Sequence, residues 1–255
     1  VGPSGSGKSS LILAGLLPQL KAGAIKESEN WRYYPPFVPG SNPLAKLAGA
    51  IRPDGSDKNA WVEEQQAHLL ADPAQLTRLI DEQQSAASGD EQATVLIIDQ
   101  FEEAFTLCLD QKIRHAFIDN LTHLVQATGS NHMVILTMRT DFEPRMPQLT
   151  EFYPLFEQSL VRVTPLDAGE LREAIERPAE RVGLIFEDGV VKGLLQDVLG
   201  EPAALPLLQF TLLKLWENRQ RNRITLDMYH NLGGGRLTLA NSADELYESL
   251  IPQDQ

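Results

Sequence analysis

The run Gly2-Pro-Ser-Gly-Ser-Gly-Lys8-Ser9 opens the chain and leads directly into apolar sequence. It constrains the fold more than any other feature. Gly2, Gly5 and Gly7 let backbone N–H groups turn inward around an anion, with Pro3, Ser4 and Ser6 completing the turn. Lys8 supplies a point charge for β- and γ-phosphates, and the Ser9 hydroxyl is a ligand for Mg²⁺. Ser9 and Ser10 start a helix whose positive dipole end faces the same anion. A flexible Gly/Ser linker would not run straight into a helix bearing Leu11, Leu13, Leu16, Leu17 and Leu20. Such a loop ordinarily follows a buried strand. The sequence starts at Val1 without one, so it reads as cut from a longer chain, and Pro252-Gln-Asp-Gln255 reads as a second cut.

The loop demands a parallel sheet, and the chain offers its parts. Thr94-Val-Leu-Ile-Ile98 is apolar and largely β-branched, as expected of a strand buried on both faces. Met133-Val-Ile-Leu-Thr137 reads as a second buried strand, Leu160-Val-Arg-Val163 as a third, and Trp31-Arg-Tyr-Tyr34 as a short one. Helices are expected over Leu44–Ile51, Trp61–Leu70, Pro73–Gln83 and Gln111–Ala127, the last ended by Gly129. Gly15 and Pro18 weaken the second half of the first helix. Strands alternating with helices give an α/β fold with a parallel sheet and flanking helices. Beyond Pro165 only helices are strong. One starts at the capping-box-like Asp167-Ala-Gly-Glu170 and runs to about Arg177, with Pro178 expected to kink or interrupt it. Others cover Val190–Leu199, Leu205–Arg219 and Thr225–Asn231. The expected organisation is a core over 1–164, a smaller helical lid over 165–232, and the start of a further helical or winged-helix segment over 233–255.

Bulk properties exclude several functions. The 255 residues carry a formal net charge of -13, which argues against direct nucleic-acid binding, since phosphate contacts need Lys and Arg. No stretch nears the roughly 18 apolar residues that span a bilayer. The single cysteine, Cys108, permits no disulfide framework, indicates a reducing, cytoplasmic setting, and reads as a buried apolar residue. Five histidines lack metal-ligand spacing. No Asn-Lys-x-Asp guanine-reading pattern is present, which favours ATP over GTP. Gly233-Gly-Gly235-Arg236 reads as a turn.

Two further segments complete the chemistry. Asp99 ends strand 94–98, where ligands of parallel sheets bind, and can hold Mg²⁺. The ninety residues between loop and Asp99 leave room for another strand. Gln100-Phe-Glu-Glu103 follows. Glu103, then Glu102, is the candidate for orienting or deprotonating an attacking water, against the alternative that one or both merely cap the following helix. Thr137-Met-Arg139 places a cation at the end of the next strand, able to read a γ-phosphate. Its alternative is a surface Arg paired with Asp141 or Glu143.

These residues resemble the STAND class of signal-transduction NTPases, in particular the bacterial branch often fused to WD repeats, the novel STAND NTPases. The resemblance is carried by Gly2–Ser10, Ile98-Asp-Gln-Phe-Glu-Glu-Ala-Phe-Thr106 and Leu136-Thr-Met-Arg-Thr-Asp-Phe142. Ala174-Ile-Glu-Arg-Pro-Ala-Glu180, Ala204-Leu-Pro-Leu-Leu-Gln209, Leu215-Trp216 and Leu226–Gly234 extend it. It implies that Asp99, Glu102 and Glu103 form the acidic segment, Arg139 the sensor, and Pro206 a lid proline near the adenine. It further implies a slow ATPase switch using ATP/ADP and Mg²⁺, closed with ADP and open for homo-oligomerisation with ATP. Sensor repeats and an effector domain would flank it. A small-molecule or nucleotide kinase is the alternative, since Gly2-Pro-Ser-Gly-Ser-Gly-Lys8 also suits one, although Glu102 and Glu103 would then lack a task.

Overall fold

A computed structural model describes residues 1–86, 93–127, 132–201 and 204–233. The chain divides into two compact units. One is Val1–Gly2 with Lys8–Arg162, and the other is Pro3–Gly7 with the described residues from Val163 onward.

The first unit is built on α1 (Lys8–Ser10), a π-helical stretch (Leu11–Leu16) and α2 (Leu17–Lys21). The helix after the loop therefore persists across Gly15 and Pro18. It does so through a wider turn, in which the Leu17 N–H reaches the Ile12 carbonyl five residues back, one of the ways a helix absorbs a proline. Next come β1 (Arg32–Tyr33), α3 (Pro43–Ala50), α4 (Lys58–Ala71), α5 (Gln75–Ala86) and β2 (Thr94–Ile98). Then follow α6 (Glu103–Thr106), α7 (Gln111–Gln126), β3 (His132–Leu136), a 3₁₀ run (Thr140–Gln148) and α8 (Tyr153–Gln158).

The sheet order is β1-β2-β3, all parallel, with Ile98 opposite Leu136. Every residue of β2 is buried, because helices must cover both faces of a parallel strand. Gly2 pairs with Arg139 just past β3, and Phe37 with Ile98 just past β1. The loop entry thus lies beside the carboxyl end of β3, and β1 is the strand lying between loop and Asp99 in sequence. Leu44, Leu47, Leu69, Leu76, Ile80 and Phe117 pack a core against the sheet.

Two expectations need correction here. β3 is only partly buried, with Met133 38% exposed. Residues 160–163 form no strand. Val161 is 72% exposed, and its carbonyl accepts a 2.7 Å bond from the Val1 amino group. The Val-Arg-Val alternation has β propensity but no neighbouring strand to pair with, and propensity alone cannot supply one.

The second unit contains α9 (Ala168–Arg181), β4 (Ile185–Phe186), α10 (Val190–Val198), α11 (Ala204–Asn218), β5 (Arg223–Ile224) and α12 (Leu226–Asn231). Asp167 and Glu170 form a reciprocal capping box on α9. That helix does not stop at Arg177. It passes through Pro178, since Leu171, Ile175 and Ala179 make one buried stripe whose packing outweighs a lost hydrogen bond. β4 and β5 pair in parallel over two residues each. Leu194, Val198, Leu208, Leu215 and Ile224 fill a separate core. Gly129, Gly234–Arg236 and the segment expected over 233–255, apart from Gly233, lie outside the described residues.

Candidate functional site

The loop bends as its glycines allow. Gly5 and Gly7 have φ of +72° and +83°, a left-handed conformation costly to other residues, and Ser6 N–H closes a turn on the Pro3 carbonyl at 3.3 Å. Gly2 anchors the entry to the sheet. Its N–H donates to the Met138 carbonyl, and its own carbonyl accepts from Thr140 N–H, both at 3.2 Å. Lys8 Nζ donates to the same Gly2 carbonyl at 2.9 Å. Burial pulls the Lys8 ammonium below the ordinary lysine value of 10.5. Glu102 opposes that shift, Arg139 adds to it, and Asp99 and Asp141 oppose it. These four side chains therefore share one electrostatic neighbourhood with Lys8.

Asp99 leaves β2 with its N–H bonded to the Phe37 carbonyl at 2.9 Å. It is 7% exposed. Its Oδ1 accepts from Ser9 Oγ at 2.8 Å and from Thr137 Oγ1 in a short bond. A serine hydroxyl and a carboxylate oxygen held side by side are the hard oxygen donors that Mg²⁺ prefers. Ser6 Oγ is buried without a partner. The donor set suits such a cation, and the left-handed glycines suit a nucleotide phosphate.

After Asp99 the chain turns sharply. Gln100 has φ of +54°, and its N–H is held by Thr137 Oγ1 at 2.9 Å. The turn drives Phe101 fully into the core, stacked on Phe152 with centroids 5.8 Å apart. Phe101 N–H bonds the Thr137 carbonyl at 2.8 Å. The two following carboxylates diverge. Glu102 is 8% exposed and its Oε2 accepts from the Arg139 N–H at 3.3 Å. Glu103 Oε2 accepts instead from the Gly40 N–H at 3.2 Å, on the turn between β1 and α3. Glu102 thus faces Lys8 and the sheet's carboxyl ends, while Glu103 ties down the 35–43 segment.

Arg139 has its backbone fixed by Gly2 and Glu102. Its side chain makes a bidentate pair with Asp141, Nε to Oδ1 at 3.0 Å and Nη2 to Oδ2 at 2.7 Å. It also lies over the Phe142 ring, 5.7 Å from the centroid. The Asp141 pairing foreseen as the alternative reading of Arg139 is thus present. Pro206 is exposed in the first turn of α11, and Ser10 is exposed at the end of α1. Cys108 is a buried free cysteine, its thiol raised chiefly by desolvation. Among the described residues no group of His, Cys, Asp and Glu is set up to hold a metal by itself. Nor is any helix long and apolar enough to cross a membrane.

Several contributors escaped sequence reasoning. Thr137 was noted only as part of a segment, yet it holds Asp99 and Gln100 together. Phe101 is the anchor that separates the acidic residues, and the one available signal was a lone aromatic inside an acidic run. Gly40 and Phe37 gave no signal.

No curated protein matches the chain. Among solved structures, the Aeropyrum pernix ORC2 protein in its ADPNP–ADP complexes superposes with a TM-score of 0.54 at 16% identity. That superposition covers 98% of this chain and 63% of the other, so the chain spans under two thirds of that relative. The Thermotoga maritima RuvB Holliday junction branch migration motor gives a weaker likeness, TM-score 0.39 at 14% identity over 87% of this chain and 67% of RuvB. A family model described as Novel STAND NTPase 1 matches residues 1–255. With that match over the whole length, the α/β chain belongs to the novel STAND NTPase 1 family and is a nucleotide-binding NTPase module.

Proposed function

We propose that this module is an ATP-binding, slowly hydrolysing switch within a larger signal-transduction protein. ADP would hold it closed, and ATP would open it for homo-oligomerisation. The observation that carries the reading is the anchoring of Gly2 on both sides of Arg139. This sets the loop entry, Lys8, Glu102 and Arg139 at the carboxyl ends of parallel strands. The family likeness supports the flanking sensor repeats, WD repeats among them, and an effector domain.

In this reading the N–H groups of Gly2–Ser10 and the Lys8 ammonium bind the phosphates. Ser9 and Asp99 hold Mg²⁺, which when bound would neutralise charge on the phosphate oxygens. Glu102 orients and deprotonates the attacking water. It takes precedence over Glu103 because its buried carboxylate faces Lys8, whereas Glu103 is engaged by Gly40. Arg139 reads the γ-phosphate, and Pro206 lies against the adenine.

Turnover by the Glu102→Gln and Glu103→Gln variants tests the assignment. Removing a positioned general base costs about 10²–10⁴ in rate, so Glu102→Gln should lose at least about 100-fold with nucleotide still bound. Glu103→Gln should lose less than about tenfold. The reverse order would reassign the base to Glu103. Fast phosphate transfer to a small acceptor would instead favour the kinase reading, and fast turnover by the isolated monomer would remove the switch.

A further inference from the structure

The side chain that best fits a γ-phosphate sensor already has the Nε–Nη2 edge of its guanidinium engaged. Arg139 presents its Nε and Nη2 as a fork, and both prongs are filled by the two oxygens of Asp141 at 3.0 and 2.7 Å. That fork is the arrangement that would grip two oxygens of a phosphate. Asp141 and a phosphate therefore offer the same chemistry to the same donors. The two residues are two positions apart, so the pair forms with little chain ordering. Both lie within electrostatic reach of Lys8.

The surroundings hold Arg139 in this pose. Its backbone is pinned on one side by the pairing with Gly2 and on the other by Glu102. Its guanidinium lies on the Phe142 ring, with the Arg145 guanidinium also near that ring, at 5.4 Å from the centroid. Asp141 is different. Its side chain is 56% exposed, and among the described residues its carboxylate is held by the Arg139 side chain and by its own backbone. The carboxylate can swing into water once a stronger anion claims the fork, while the arginine stays in place.

We propose that Asp141 is a nucleotide-discriminating residue, a resident carboxylate that competes with the γ-phosphate for Arg139. The inference rests on the reading of Arg139 as the γ-phosphate sensor. With a diphosphate the Arg139–Asp141 pair stays closed, at no loss. A triphosphate must open it. Asp141 thus lowers affinity for the triphosphate selectively and weights the module toward its ADP-bound state. This makes the position a brake on switching rather than part of the hydrolytic machinery.

Calorimetric titration with the β,γ-imido analogue of ATP and with ADP, both with Mg²⁺, tests this in five proteins. They are the wild type, Asp141→Asn, Arg139→Ala and the double variant, with Asp141→Ser as a second replacement. Exposed ion pairs shift equilibria by up to about fivefold. Asp141→Asn and Asp141→Ser should therefore bind the analogue about three- to fivefold tighter and bind ADP within about twofold of wild type. The gain should vanish in the Arg139→Ala background.

Equal tightening of both nucleotides, or a gain that survives in the double variant, would show simple charge relief and overturn the proposal. Weaker analogue binding by both Asp141 variants would mean that Asp141 orients Arg139, which also overturns it. If Arg139→Ala leaves analogue affinity unchanged, the sensor reading itself fails and the proposal goes with it. That outcome is distinct from the others, because it is read in a variant that keeps Asp141.

Discussion

Thr137→Val removes a hydroxyl while keeping shape, and the hydroxyl is where the two halves of the site join. Thr137 is 3% exposed. Its Oγ1 donates to Asp99 Oδ1 and accepts from the Gln100 N–H at 2.9 Å. Its backbone bonds, N–H to Ile98 and carbonyl from Phe101, do not involve the side chain. Valine is β-branched, so it suits the end of β3 equally well. Two losses follow. A hydrogen bond to a charged acceptor is worth about 1.5–3 kcal/mol, and an amide left unpaired costs about 1–3 kcal/mol. The Gln100 residue is exposed, so water relieves part of the second cost. The losses share one atom and do not add fully. A net destabilisation of about 2–4 kcal/mol is expected.

The first unit contains Trp31 and Trp61, and Trp216 lies in the second. In a Trp216→Phe background, fluorescence follows the first unit alone, which avoids treating two units as one transition. For a body of this size the loss lowers the midpoint by roughly 5–15 °C. Asp99 also loses a bond that orients it, so Mg²⁺-dependent nucleotide affinity should fall by about tenfold, the lower end for groups that support a metal ligand. Thr137→Ser keeps the hydroxyl and should recover most of both effects. A Thr137→Val protein within about 0.5 kcal/mol of wild type, with Mg²⁺ dependence unchanged, would refute the account of Thr137 as the link between Asp99 and Gln100.

Two further substitutions probe the supports of each unit. Asn120 is fully buried. It donates to the Leu69 carbonyl at 2.8 Å, which Pro73 cannot serve for want of an N–H, and accepts from the first-turn Leu76 N–H at 3.1 Å. Asn120→Ala orphans both groups and should cost about 2–4 kcal/mol in urea unfolding of the first unit, with a loss under about 0.5 kcal/mol counting against the bridge. In the second unit, a Cβ on Gly193 would lie 2.7 Å from the Tyr229 ring, whose hydroxyl is bonded to Asp197. Gly193→Ala gains about 1 kcal/mol of helix propensity but overpacks at about 1–3 kcal/mol. Thermal melting should therefore show net destabilisation of the second unit, and a neutral or stabilised protein would mean that Tyr229 moves aside freely.

What could be read in the sequence and what could not divide along physical lines. β2 was legible because a strand covered on both faces must be apolar at every position, and nothing else accounts for Thr94–Ile98. The loop was legible because left-handed turns around an anion need glycine at fixed spacing, and Gly5 and Gly7 do take positive φ. The capping box on α9 was legible because it is a local hydrogen-bond exchange. The strand expected at 160–163 failed for the opposite reason, since a strand exists only with a partner and pairing is not local. The same holds for the two glutamates. Adjacent residues in a turn point apart, but which one points inward is set by the left-handed Gln100, a residue type that does not advertise positive φ. That conformation depends on Thr137, which lies 37 positions away and holds the Gln100 N–H. The residue types of the site are thus encoded locally, while their directions come from the pairing of β2 with β3. This is why the order of Glu102 and Glu103 could not be read from the sequence, and why Arg139 carries two readings there, a phosphate-reading cation or a partner of Asp141 or Glu143, until Asp141 is seen on its fork.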